Sequence, residues 1–374
     1  MYKFFYMMKH LTMILAGLTI SATVNAAVAT KSYRADDADA VRVVGRTVVL
    51  PDGGGLQFDW SGVYAETILE GRELQLRVSD TRKSLFDVSV DGQPAGKFMV
   101  TSCDTVITVA SGLKQGRHEI VISKRTEGET GMTTFHEFIL PRGGSLTATA
   151  PRGRFIEYIG DSLSAGFGTE GKDRSDPFKP ETENCNRAYS TIIPRYFDTD
   201  YAIIAHSGRG IVRNYGDSVR VSAHTMRHKY SQALDADTTH EWNFKDYTPD
   251  LVIINLGTND FSNEPHPYRS EFVEAYASLL DDIFAHYGDG VKVLCVIPYA
   301  IASHLKPYFT EAISRVNRPG SVRLLHMPED YINSDSDRGS AWHPNYVGQQ
   351  KMAMMIIPYI STMMEWPMTG RPVL

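Results

Sequence analysis

The hydrophobic pattern changes character twice along this chain. A basic start (Lys3, Lys9, His10) leads into the apolar run 11–24, LTMILAGLTISATV, and then into small residues around Ala26 and Ala29. That order predicts a secretory signal peptide over residues 1–26, cleaved after about Ala26 or Ala29. The apolar run is shorter than the ~20 residues that a membrane span needs. Residues 30–148 then show short, β-branched, alternating runs: 41–50 (VRVVGRTVVL), 56–60, 74–78, 85–90, 106–109, 116–123 and 133–140, with PDGGG and Asp91-Gly92 as turns. Such spacing predicts an all-β sandwich, for which a jelly roll is one wrapping. Residues 141–151, PRGGSLTATAP, carry no apolar period and read as a linker.

From 152 to 374 the rhythm lengthens. Five apolar runs (155–159, 201–205, 251–255, 291–297 and 322–325) alternate with helical periodicity. The clearest helix covers 269–287, where Phe272, Val273, Tyr276, Leu279, Leu280, Ile283 and Phe284 share one face. Met226, Tyr230 and Leu234 mark a shorter helix, and 345–364 the last one. Continuous apolar strands between helices predict a three-layer α/β domain, flavodoxin-like, with a parallel sheet covered on both faces. Reactive groups then belong at the carboxyl ends of the strands.

Composition changes this picture little. The 374 residues are 42% hydrophobic and 22% charged, with a net charge of −6, so nothing suggests a grip on nucleic acid or anionic lipid. Cys103, Cys185 and Cys295 are too few for a disulfide framework. Cys295 reads as a buried thiol, and a single Cys103–Cys185 bridge is compatible with an oxidising compartment.

Four groups sit where the sheet would present them. Gly160-Asp161-Ser162 follows the first α/β strand, as a tight turn that exposes a nucleophile would. Ser207-Gly208 follows the second, Gly257-Thr258-Asn259-Asp260 the third, and Trp342-His343-Pro344 precedes the last helix. A serine hydroxyl needs a neighbouring base, and His343 is the best-placed candidate. His224 and His228 lie four apart but lack a third ligand, so no metal site is assigned.

In order and type, Gly160-Asp161-Ser162-Leu163, Gly208, Gly257-x-Asn259-Asp260 and His343 resemble the blocks of the SGNH (GDSL-type) hydrolase superfamily. The N-terminal stretches VGRTVVL, FDWSGV and VDGQ, with Thr182-Glu183-Asn184 and Trp342-His343-Pro344-Asn345, resemble carbohydrate esterase family 2 over nearly all of the mature chain. The resemblance implies a secreted or periplasmic serine esterase that removes O-acetyl groups from plant cell-wall polysaccharide (xylan, mannan or glucomannan) without metal or cofactor. The expected oxyanion donors are the backbone N–H groups of Ser162 and Gly208 and the side-chain amide of Asn259. Asp161 and Asp260 are expected to hold turns. Trp342 is a candidate sugar platform, while Trp60 and Trp242 read first as core. The polar segment 172–186 is a candidate wall of the cleft.

One expected group is missing. The superfamily usually carries an aspartate three residues before the histidine, and family 2 often carries one two residues before; here these positions are Ser340 and Ala341. Two arrangements stay open: a Ser–His dyad whose imidazole is held by a backbone carbonyl, or a carboxylate from Asp335 or Asp337 folding back. Other readings of the same blocks are a different SGNH esterase or lipase, an envelope-glycan deacetylase, or an inactive carbohydrate-binding protein.

Overall fold

The computed structural model describes residues 30–101 and 103–373, and the signal-peptide reading for residues 1–26 lies outside them. Two antiparallel sheets face each other in the first part. One runs Val48–Leu50, Gly55–Phe58, Thr133–Leu140, Leu74–Asp80, Thr105–Ala110, with Lys31–Arg34 also paired to Thr133–Leu140. The other runs Ser145–Ala148, Tyr64–Gly71, Gly116–Lys124, Lys83–Val90, Gln93–Thr101, with Arg42–Val44 on Tyr64–Gly71. Between them lie Phe58, Leu74, Leu76, Val78, Phe86, Ile120 and Ile122, all buried, with Phe135 and Phe138, which lie three apart and both reach the core because the register shifts at a bulge between Phe135 and Glu137. The stretch read as a linker is partly a strand: Ser145–Ala148 pairs with Tyr64–Gly71, because Leu146 has a buried place in the sandwich core.

The second part is a parallel sheet ordered Asp200–Ala205, Phe155–Gly160, Leu251–Asn255, Lys292–Ile297, Val322–His326. Alternation along the strands separates two cores. Leu251, Ile253, Leu294 and Val296 face the helices Tyr189–Phe197 and Tyr346–Met364, whereas Val252, Ile254, Val293 and Cys295 face Arg269–Tyr287 and Lys306–Val316. This is the three-layer arrangement expected, in the order 2-1-3-4-5. The first strand therefore has its neighbours leaving on opposite sides, which opens a crevice at its carboxyl end. The helix around Met226 is a single turn, Met226–Lys229, shorter than the apolar spacing suggests. Tyr230 and Leu234 are buried all the same, as anchors of an irregular segment.

The two parts are joined by buried polar bonds. Arg46 of the sandwich, wholly buried, meets Glu157 of the first α/β strand at 3.3 Å and donates to the Gln232 carbonyl at 2.9 Å. Glu157 also accepts from the hydroxyls of Tyr230, Tyr247 and Tyr287. Trp242 stacks over the Arg46 guanidinium at 5.2 Å, and the Trp60 indole donates to the Ala233 carbonyl at 3.1 Å. Both tryptophans are core, at the junction rather than in a sugar cleft. Cys103 is exposed on the sandwich, while Cys185 is buried with its thiol on the Lys124 carbonyl, so the possible bridge is not formed and all three cysteines are free.

Candidate active site

Ser162 starts a one-turn helix, Ser162–Ala165, directly after the strand Phe155–Gly160. The turn is tight: a Cβ on Gly160 would lie 2.0 Å from Ser164 Oγ, so only glycine is accommodated. Asp161 caps the helix, its carboxylate accepting the Leu163 N–H at 3.0 Å. Ser162 is left 7% exposed.

His343 reaches Ser162 from the loop before the last helix. Its Nε2 lies 2.8 Å from Ser162 Oγ and its Nδ1 2.9 Å from the Ala341 carbonyl oxygen. A carbonyl can only accept, so Nδ1 carries the proton and Nε2 is the bare nitrogen facing the serine hydroxyl. Asp335 and Asp337 are engaged elsewhere. Asp335 is exposed and pairs with Arg174, and Asp337 is buried against Lys351 at 2.6 Å. The geometry is that of a dyad with a backbone orienter.

That orienter is held in a costly conformation. Ala341 (φ 52, ψ 43) and Trp342 (φ 66) both lie in the left-handed region, which costs a non-glycine residue about 1–3 kcal/mol. Surrounding bonds fix them. Ala341 N–H donates to the Asp176 carbonyl at 2.9 Å, Ser340 N–H to Gly168 at 3.1 Å, Gly339 N–H to His343 at 2.8 Å, and Arg338 to the Trp342 carbonyl at 2.5 Å. Asp176 and Arg174 belong to the 172–186 segment, which packs against the histidine loop.

Burial, opposed by the bond to Ala341 and reinforced by the nearby Arg338 charge, lowers the His343 pKa from 6.5 to about 4. The ring also rests against Phe167 at 4.4 Å, itself stacked on Phe178. Among the described residues no carboxylate offsets this desolvation, unlike in an acid-oriented histidine.

The loops after the second and third strands converge on the same point. Asn259 Nδ2 donates to Asp161 Oδ2 at 3.2 Å and to the Arg209 carbonyl at 2.9 Å, tying three strand ends together. Both of its amide hydrogens are thus engaged, so the amide expected as a free oxyanion donor serves an incoming oxygen only by sharing one. Asp260 accepts the N–H groups of Ile211, Val212 and Arg213 at 3.1, 2.7 and 3.0 Å and holds the second loop; burial raises its pKa to about 6. Burial likewise raises Asp161 to about 7. Gly208 has φ +76, and among the described residues neither its N–H nor that of Ser162 has a hydrogen-bond partner.

Trp342, on the histidine loop, and Tyr215, on the loop after the second strand, are both exposed. Trp342 is 59% exposed and stacks on Arg174 at 4.6 Å. Tyr215, 64% exposed, donates its backbone N–H to the Gly208 carbonyl at 2.8 Å. Nothing in the sequence around Tyr215 marks it, because its place depends on how the 208–222 loop folds back. His224 and His228 meet edge-on, and His228 Nδ1 faces the Thr225 hydroxyl; among the described residues no group of three His, Cys, Asp or Glu is arranged to hold a metal.

Comparison with known proteins places this geometry. The carbohydrate esterase 2 N-terminal family model matches residues 43–151, and the GDSL-like lipase/acylhydrolase family model matches residues 158–351. A solved family two carbohydrate esterase from Clostridium thermocellum, in complex with cellohexaose, is 30% identical with a TM-score of 0.80, covering 87% of this chain and all of that one. The chain belongs to carbohydrate esterase family 2. By family it is a carbohydrate esterase. It is also similar to the cellulase/esterase CelE of Acetivibrio thermocellus, 31% identical over 84% of this chain but only 38% of that protein's length. An acetylxylan esterase / glucomannan deacetylase of Cellvibrio japonicus is 26% identical over 93% of this chain and 96% of its own.

Proposed function

We propose that this chain is a secreted serine esterase that removes O-acetyl groups from xylan, mannan or glucomannan through an acetyl-enzyme on Ser162. The observation that carries the reading is the two-sided hold on His343, between the Ala341 carbonyl and Ser162 Oγ. As Oγ attacks the acetyl carbonyl, Nε2 takes its proton. The oxygen that becomes negative is met by the N–H groups of Ser162 and Gly208, with Asn259 sharing a hydrogen. The imidazolium then protonates the departing sugar oxygen, leaving acetate esterified to Ser162. Water enters, His343 takes its proton, acetate leaves, and the proton returns to Oγ.

A base with so low a pKa is weak. The reaction therefore leans on the oxyanion contacts, and the negative charge developing nearby favours the imidazolium as it forms. Trp342 and Tyr215 offer aromatic faces to the apolar C–H faces of sugar rings beside the nucleophile. The polysaccharide substrate is supported by the names of the Cellvibrio relatives and by the cellohexaose bound to the Clostridium enzyme. Export is supported by the basic–apolar–small order of residues 1–29. Acetate release from acetylated xylan, glucomannan and peptidoglycan, compared with Ser162→Ala, tests the reading. Release from a plant polysaccharide that disappears in the variant is expected; release from peptidoglycan alone would contradict it.

A further inference from the structure

The loop that carries Gly208 is held from the other domain. Glu127 lies in the sandwich, between the strands Gly116–Lys124 and Thr133–Leu140, and is 3% exposed. Its Oε2 accepts the Ser207 N–H at 2.7 Å, while the Gly208 carbonyl accepts the Tyr215 N–H at 2.8 Å. The two peptide groups flanking the Ser207–Gly208 peptide are therefore both clamped, and the peptide between them bears the unpartnered Gly208 N–H. The preceding residue is fixed as well. His206 Nδ1 lies 2.7 Å from Asp235 Oδ2, and its Nε2 lies 3.0 Å from Oε1 of Glu129, also on the sandwich. Burial opposes charge on this imidazole, yet the two carboxylates bring its pKa up to about 9, so it is a cation at neutral pH. Asp235 is held in turn by Lys229 at 2.7 Å, and its backbone N–H donates to Asp59 of the sandwich. Gly128 packs so closely that a Cβ there would lie 2.4 Å from Asp235 Oδ2.

We propose that Glu127 is a positioning residue for acyl transfer: its carboxylate fixes the His206–Ser207 peptide, aiming the Gly208 N–H at the reacting oxygen. The sandwich domain thereby completes the active site as well as burying surface against the α/β domain. This rests on the esterase reading above. A donor held this way acts only when charge develops on the substrate oxygen, so its loss falls on kcat and spares KM.

The test uses the full chain with 4-nitrophenyl acetate, reading kcat and KM separately, together with inhibition by a boronic acid that forms a tetrahedral anion on Ser162. Loss of a whole oxyanion donor costs ~10²–10³ in turnover, so misaiming one is expected to cost about 10- to 100-fold. Glu127→Asp keeps the charge but draws the oxygen back by one methylene; kcat falls, KM stays within about twofold, and boronate inhibition weakens in step. Glu127→Gln keeps the reach and an accepting oxygen while losing the charge; it retains most of kcat. The reverse ranking would overturn the proposal, assigning Glu127 only to charge balance with His206. Unchanged kcat in a folded Glu127→Asp protein would also overturn it. If the unaltered protein showed no acetate release dependent on Ser162, the esterase reading itself would fail. Normal turnover with an insensitive Glu127 would sink the positioning role alone.

Discussion

The low pKa of His343 gives the sharpest prediction. A histidine oriented by a carboxylate is stabilised as the cation; one oriented by a carbonyl and buried is not, and here its pKa falls from 6.5 to about 4. The free-enzyme base is neutral above its pKa, so the acid limb of kcat/KM follows it. At pH 5, about 90% of imidazole groups with a pKa of 4 are neutral, against about 3% with a pKa of 6.5, a roughly 30-fold difference in competent enzyme. The same shift sets a stability trend. Between pH 6.5 and 4 the unfolded chain binds more protons at this histidine than the folded one, so stability falls as pH drops through that window and is unaffected above it. The assay is acetate release from an acetylated sugar between pH 3.5 and 8. An NMR titration of the His343 ring in Ser162→Ala separates it from Asp161 and Asp260, whose raised pKa values, about 7 and about 6, fall within the same assay range. A limb and a ring titration near 6.5 or above would refute the carbonyl-oriented dyad.

Other predictions follow from the same contacts. Asp335→Ala and Asp337→Ala should leave kcat within about twofold, since neither carboxylate touches His343; Asp337→Ala should lower stability by about 1–3 kcal/mol in a urea titration by unpairing Lys351. Trp342→Ala should raise KM for acetylated polymer by about 2- to 10-fold while leaving 4-nitrophenyl acetate unaffected, the scale of one aromatic stacking contact. Arg46→Ala leaves Glu157 without its cation at the domain junction and should destabilise the protein by about 3–5 kcal/mol, read by denaturant unfolding.

Apolar periodicity revealed the parallel sheet because its strands are buried on both faces and read as unbroken runs. The sandwich was legible where alternation is clean, as in Gly116–Lys124, and failed where ionic contacts replace it. Tyr64–Gly71 is almost wholly buried, yet its Glu66 and Thr67 look like surface residues. Glu66 is buried because Arg42 and Arg152 meet it, partners that no local pattern shows. Gln93–Thr101 is an edge strand whose first half, with Pro94 and Gly96, is exposed; Phe98 and Val100 near its end reach the core, too short a stretch for an alternation to show. At the site, four short blocks brought Ser162, Gly208, Asn259 and His343 forward because each follows a strand or precedes the last helix. The orienter stayed hidden, since a carbonyl belongs to every residue and only the left-handed turn at Ala341 aims this one. Glu127 was equally hidden, its partner Ser207 lying 80 residues away in the other domain.

The central claim is that Ser162 carries the acyl group. Rapid acid quench during turnover of 4-nitrophenyl acetate, followed by peptide mass spectrometry, measures this directly. The account predicts one acetyl group on the peptide containing Ser162, absent in Ser162→Ala and not formed in His343→Ala. Acetylation at another residue, or acetate release that survives Ser162→Ala, would contradict it.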